Sequence, residues 1–213
     1  LKRRLDRAIK NNEENEIKLV KKFVNKDSDC IDIGVYRGVY TYEMSKYANV
    51  VHSFEANPII FEKLKKNLIK IKKNINFYNF ALSNKNEKVE LKIPIRNSNS
   101  SKDNYEEYYK LGTATIHEDN AIQNYEKFFI DAKKLDDCDF ENKISLIKID
   151  VEGHEIPVIE GGMKTILNNK PALIVEIDEK HSKQKVSFTI NYINSIGYKS
   201  HYFLNDTLKT TDE

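Results

Sequence analysis

Two hydrophobic periods divide this chain. From residue 1 to about 24, Leu5, Ile9, Ile17, Val20 and Phe23 recur at helical spacing among charges, with a polar gap at Asn11-Asn12-Glu13-Glu14. That predicts an amphipathic helical segment whose thin apolar face packs on the main body rather than in a membrane. Short apolar runs then alternate with helical ones. Strands are predicted over 30–33, 50–54 and 76–82, with helices running to about 47 and from Pro58 to about 71. Residues 87–93 alternate with period two, as a half-exposed strand does. Regularity fails over 94–124, rich in Ser, Asn and Tyr, and resumes at Phe128-Phe129-Ile130. A buried strand over 144–149, a helix over 156–167, a strand over 171–177, a helix over 186–196 and a closing strand over 198–204 complete an α/β pattern.

The expected organisation is an N-terminal helical appendage over 1–27 and one domain over 28–213, with a loop insertion at about 94–124. That insertion reads as a lid or substrate loop on the acceptor side.

Composition narrows the function classes. Among 213 residues, 35 basic and 33 acidic side chains leave a net charge of +2, so no broad field for nucleic acid exists. Cys30 and Cys138 lie far apart without metal-ligand spacing, which suits reduced thiols in a cytoplasm. No apolar run reaches bilayer length, and Leu1-Lys2-Arg3-Arg4-Leu5-Asp6-Arg7 lacks a signal-peptide core. The expected protein is cytoplasmic, without nucleic-acid partner or membrane span.

The candidate chemistry begins at Asp32-Ile33-Gly34-Val35-Tyr36-Arg37-Gly38, a buried strand turning through glycines into a helix. Gly34 admits backbone close to a ligand, and Gly38 admits close approach of the first helical turn. Glu55 follows Gly34 by about twenty positions at the end of the second strand, where a ribose is gripped in nucleotide-binding α/β folds. The spacing lacks the glycine pair of G-x-G-x-x-G, and Asp32 sets negative charge where a pyrophosphate would be repelled, arguing against NAD and FAD. A ribose ligand with a cationic amino-acid tail fits, and S-adenosylmethionine is one. The competing structural account makes Gly34 and Gly38 a plain strand-to-helix loop with Asp32 as a cap.

Three segments in this order resemble the FkbM-type family of S-adenosylmethionine-dependent methyltransferases: Asp32-Ile33-Gly34 with Gly38 and Tyr40-Thr41, then Phe54-Glu55-Ala56-Asn57-Pro58, then Lys148-Ile149-Asp150-Val151-Glu152-Gly153-His154-Glu155. The resemblance implies a class I methyltransferase (Rossmann-like) sheet, mainly parallel with one antiparallel strand, the last one, and helices on both faces. It assigns Asp32, Gly34 and Gly38 to the methionine end of the cofactor, Glu55 to the ribose hydroxyls, and Ala81 with Leu82 to the adenine edge. Tyr36, Ala56 and Asp150 complete the expected cofactor set. Val35-Tyr36-Arg37 stands where the family commonly has small or polar residues, so Tyr36 and Arg37 alter the rim.

Methyl transfer to a hydroxyl requires an aligned acceptor and a group that takes its proton. Asp150, Glu152 and His154 are the catalytic candidates, because neighbouring carboxylates at one strand end raise one another's pKa. Alternation would put Asp150 and Glu152 on one side. The plain alternatives make Glu152 and Glu155 helix-start charges and His154 a hydrogen-bonded structural partner. A divalent cation on Asp150, Glu152, Glu176 and Asp178 is the less favoured arrangement, so no metal ligand is assigned. The expected activity is O-methylation of a hydroxyl on a sugar, glycan or related small metabolite. N-methylation of a small amine, or a non-catalytic accessory module keeping the cofactor fold, are the alternatives.

Overall fold

The computed structural model describes residues 2–10, 15–99, 101, 108–116, 124–178, 185–204 and 207–211. Five parallel strands form the central sheet: β1 (Asp29–Ile33), β2 (Val51–Phe54), β3 (Ile75–Tyr78), β7 (Ile144–Ile149) and β8 (Ala172–Val175), in the order β3-β2-β1-β7-β8. β1 and β7 are buried along almost their whole length, as strands covered on both faces are. The chain builds outward from β1 to β3 and then crosses back to β7. The β1/β7 boundary is therefore the switch point, where such sheets open a crevice at their carboxyl ends.

Helices cover both faces. On one face Cys30, Val51, Ile75 and Leu146 pack with Leu5 of α1 (Lys2–Lys10), Val20 of α2 (Val20–Phe23), Tyr40 and Met44 of α3 (Val39–Met44), and Leu64 and Leu68 of α4 (Pro58–Leu68). On the other face Ile31, Ile33, Phe54, Ile147 and Ile149 meet Val158 and Ile159 of α5 (Glu155–Gly161), Ile166 of α6 (Met163–Asn169) and Ile193 of α7 (Val186–Ser195). The period-two alternation of each strand divides its side chains between these two cores. Among the described residues no helix is long and apolar enough to cross a membrane.

A second, three-stranded sheet joins β4 (Ala81–Leu82), β6 (Tyr125–Lys133) and β5 (Glu87–Pro94) in the order β4-β6-β5, with β5 and β6 antiparallel over eight paired positions. The described residues of the 94–124 segment lie against it. Lys92 bridges Thr115, Ile95 bridges Tyr109, and Tyr108 and Tyr109 are buried. Residues 102–107 and 117–123 lie outside the described residues.

Four local expectations change. The strand predicted over 76–82 is two strands, β3 in the main sheet and β4 in the second. Asn79 breaks it, donating from Nδ2 to the Glu55 carbonyl oxygen at 2.8 Å. The helix predicted over 156–167 divides at Gly162; beside it, a Cβ on Gly161 would lie 1.9 Å from the Ser83 carbonyl oxygen, so Gly161 lets α5 approach the end of β4. The N-terminal helix divides into α1, a 3-10 turn over Asn15–Leu19, and α2, with the gap 11–14 outside the described residues. Among the described residues the closing strand does not insert antiparallel into the central sheet: β9 (His201–Leu204) pairs antiparallel with β10 (Thr207–Thr210), and Thr207 Oγ1 donates to the Leu204 carbonyl oxygen.

Candidate active site

Three turns meet at the carboxyl ends of β1, β2 and β7. Gly34, at φ +80°, leaves β1 so close to the next turn that a Cβ on it would lie 1.7 Å from the Asp150 carbonyl oxygen. Only glycine fits that contact. Gly38, at φ +75°, precedes α3, and its missing Cβ faces Leu64 and Leu68 of α4. It serves helix packing and lines neither cleft described below.

Glu55 ties the first two turns together. Its Oε2 accepts the Tyr36 N–H at 2.9 Å and its Oε1 accepts the Asn57 N–H at 2.8 Å. Burial raises this carboxyl to about 7, against the pull of the two N–H groups. The Tyr36 backbone is held at φ +45°, a left-handed conformation uncommon for a non-glycine residue, while its ring stands against Gly112 beneath the Arg37 guanidinium.

Asp32 sits lower, fully buried, with Oδ2 accepting from Thr41 Oγ1 at 2.5 Å. Burial raises its carboxyl to about 6, opposed chiefly by Lys148. β1 and β7 register Asp32 directly beside Lys148.

One cleft, of about 490 Å³, runs from the β1 turn over the second sheet. Its walls include Phe54, Glu55, Ala56, Asn57, Phe80, Ala81, Leu82, Thr115, Asp150 and His154. A second, of about 540 Å³, is lined by Ile9, Ile17, Tyr36, Arg37, Tyr40 and Lys148. Gly34 and Asp150 border both. The structure thus brings together Gly34, Tyr36, Glu55, Ala56, Ala81, Leu82, Asp150 and His154, whereas the Asp32 side chain supports the site from beneath.

Glu152 does not line either cleft. It follows Asp150 at φ +53°, so the extended alternation expected to align the two carboxylates is broken, and its carbonyl oxygen accepts from Thr115 Oγ1 at 3.0 Å. Burial first, then the Asp150, Glu176, Glu155 and Asp178 charges, raise its carboxyl to about 8. Glu155 Oε1 turns back to accept the Gly153 N–H at 2.9 Å, the helix-start role. His154 Nε2 lies 2.9 Å from Ser83 Oγ. Among the described residues no group of three His, Cys, Asp or Glu side chains is arranged to hold a metal ion.

A profile of the Methyltransferase FkbM domain matches residues 32–200. The chain belongs to the FkbM methyltransferase family. Among solved structures, the FkbM methyltransferase of Methylobacillus flagellatus KT is similar at 17% identity and TM-score 0.57, over 87% of this chain. This chain spans 43% of that protein. A precorrin 8w decarboxylase from Methanobacterium thermoautotrophicum aligns over 93% of this chain and 84% of its own, at 10% identity and TM-score 0.45. No curated protein matches.

Two buried polar side-chain atoms at this site lack a hydrogen-bond partner among the described residues. Asn57 Nδ2 is a buried donor on a residue of the cleft wall. Asp32 Oδ1 is likewise a buried acceptor without a hydrogen-bond partner among the described residues. Sequence reasoning assigned no role to Asn57, Thr115, Ser83 or Lys148. Asn57 was legible as the N-cap before Pro58, since its Oδ1 accepts from Ile59 and Ile60 N–H. Thr115 carried no local signal, because its partner lies on the turn after β7.

Proposed function

We propose that this FkbM-family chain is an S-adenosylmethionine-dependent methyltransferase that O-methylates a hydroxyl of a sugar, glycan or related small metabolite. In this reading residues 28–213 form the methyltransferase domain, 94–124 its acceptor-side insertion and 1–27 an appendage. The observation that carries it is Glu55, pinned by two backbone N–H groups on the wall of a cleft it shares with Phe80, Ala81 and Leu82. A carboxylate oxygen has lone pairs beyond those bonds, so Glu55 can still accept from two ribose hydroxyls. The adenine ring then lies among Phe80, Ala81 and Leu82, with Asn57 Nδ2 as a donor beside it.

The bound cofactor supplies an electrophilic methyl group on a sulfonium. This chain's residues must bring an acceptor oxygen in line with it and remove the hydroxyl proton. Asp150, bordering both clefts, is the group placed to orient the acceptor and take that proton. His154 stands beside it on the same cleft wall. A second reading is N-methylation of a small amine: the Asp150 carboxylate bordering both clefts would draw in the protonated amine, which must lose a proton before its nitrogen can attack.

Calorimetry tests the cofactor half. S-adenosylhomocysteine is expected to bind with micromolar affinity and NAD not comparably; equal binding of both, or of neither, sinks the reading. For the acceptor half, transfer of labelled methyl to a panel of sugars, glycans and amines separates O- from N-methylation. Asp150→Asn is expected to bind S-adenosylhomocysteine as wild type does, yet lose transfer by about a hundredfold or more. Wild-type turnover in that variant would demote Asp150 to a strand-end structural residue.

A further inference from the structure

Lys148 is a buried cation at the floor of the site with two acidic neighbours. Its Nζ lies 2.7 Å from Asp150 Oδ2 and 3.5 Å from the Gly34 carbonyl oxygen, and stands 5.1 Å from the centre of the Tyr40 ring. The Lys148 side chain is 6% exposed and that of Asp150 27%. A charge so shielded from water is kept only where partners hold it. Its position follows from the strands: it lies on β7 beside Asp32 of β1, two residues before Asp150, so one ammonium reaches the β7 turn and the carbonyl that ends β1. Tyr40 closes the far side from α3.

From this geometry we infer that Lys148 is a positioning residue, which fixes the orientation of the Asp150 carboxylate and holds the β1 turn against the β7 turn. This rests on the reading of Asp150 as the acceptor-orienting acid. The groups that bear on Asp150 come from every neighbouring element. Asp32 on β1, Glu55 after β2 and Glu152 in the same turn are acidic, and Lys148 supplies the opposing charge at hydrogen-bond distance. Remove that charge and the Asp32, Glu55 and Glu152 carboxylates bear on Asp150 without the ammonium, with Arg37 and His154 remaining on the walls of the clefts that Asp150 borders. Lys148→Gln strips Asp150 of a cation at hydrogen-bond distance, and such a cation favours the charged form of a carboxyl.

The test reads Asp150 itself and needs no acceptor. Carbon-13 carboxyl labelling, with the Asp150 signal assigned by its loss in Asp150→Asn, gives the Asp150 titration in wild type, Lys148→Gln and Lys148→Arg. Lys148→Gln keeps a donor near Asp150 and removes the charge. Its Asp150 midpoint is expected to rise by about 1–3 pH units, and Lys148→Arg to restore it. An Asp150 midpoint that stays in place in a folded Lys148→Gln overturns the inference. Should Lys148→Gln fail to fold, Asp32→Asn combined with Lys148→Gln removes the neighbouring buried acid as well, and the Asp150 midpoint is read there against Asp32→Asn alone. The two readings fail separately. Absent S-adenosylhomocysteine binding in wild type sinks the cofactor site while the Lys148 titration stands, whereas an unmoved Asp150 midpoint with intact binding sinks only the role of Lys148.

Discussion

Glu55 combines two functions in one carboxylate, holding Tyr36 and Asn57 by their N–H groups and facing the cleft. Glu55→Ala removes both, and a charged hydrogen bond is worth about 1.5–3 kcal/mol, so affinity for S-adenosylhomocysteine should fall at least tenfold by calorimetry. An unchanged constant would refute the ribose assignment. The same residue makes stability depend on pH. The folded carboxyl titrates at about 7 and the unfolded one near 4.5, so between these values the folded state keeps a proton that the unfolded chain has released. Stability from this group is therefore highest below about 4.5, falls as pH rises, and is fully lost above 7. The total is roughly 3 kcal/mol at about 1.4 kcal/mol per pH unit. Asp32 and Glu152 act with the same sign. Melting temperatures at pH 5 and 8 should drop less in Glu55→Gln than in wild type. The acid's place at the end of β2 was legible from its spacing after Gly34, but its grip on Tyr36 depends on the left-handed turn there, which no local pattern announces.

At the scale of elements, the crossing of the β1 and β7 turns is the tightest contact of the site. Gly34→Ala meets the Asp150 carbonyl oxygen, a backbone atom that cannot swing aside, and adds at least about 1–2 kcal/mol of left-handed strain. The variant should melt well below wild type and lose S-adenosylhomocysteine binding. Gly197→Ala is the control: it carries the same kind of strain at φ +97°, with nothing within 4 Å of the added Cβ. It should lose some stability and keep full affinity. If Gly34→Ala binds normally, the turn is more compliant than this packing implies. Short continuous apolar runs located β1, β2 and β7 correctly, but could not see that Asn79 ends β3 or that Gly161 sits on the Ser83 carbonyl. Both breaks are set by contacts with distant segments.

For the whole molecule, ligand binding couples the three turns to global stability. A ligand at one hundred times its dissociation constant adds about 2.7 kcal/mol to the folded state. For a chain of this size that is a rise of roughly 5–11 °C in melting temperature. S-adenosylhomocysteine should produce it and NAD should not. A shift equal in Glu55→Ala and wild type would place the ligand away from the cleft between the two sheets.

The sequence by itself determined the alternation of strands and helices, the glycine turn after β1, the acid that ends β2 and the family. Each is written locally: side-chain period reports the face a residue presents, glycine reports a backbone that other residues avoid, and the motifs lie within short runs. Tertiary structure alone decided that Asp32 lies under the site, that Gly38 faces α4, that a left-handed Glu152 breaks the alternation expected to align it with Asp150, and that Lys148 bridges the ends of β1 and β7. These depend on which strands become neighbours and in what register. Pairing residues more than a hundred positions apart, as β1 and β7 do, is settled by the packing of both faces together, and periodicity carries no record of it.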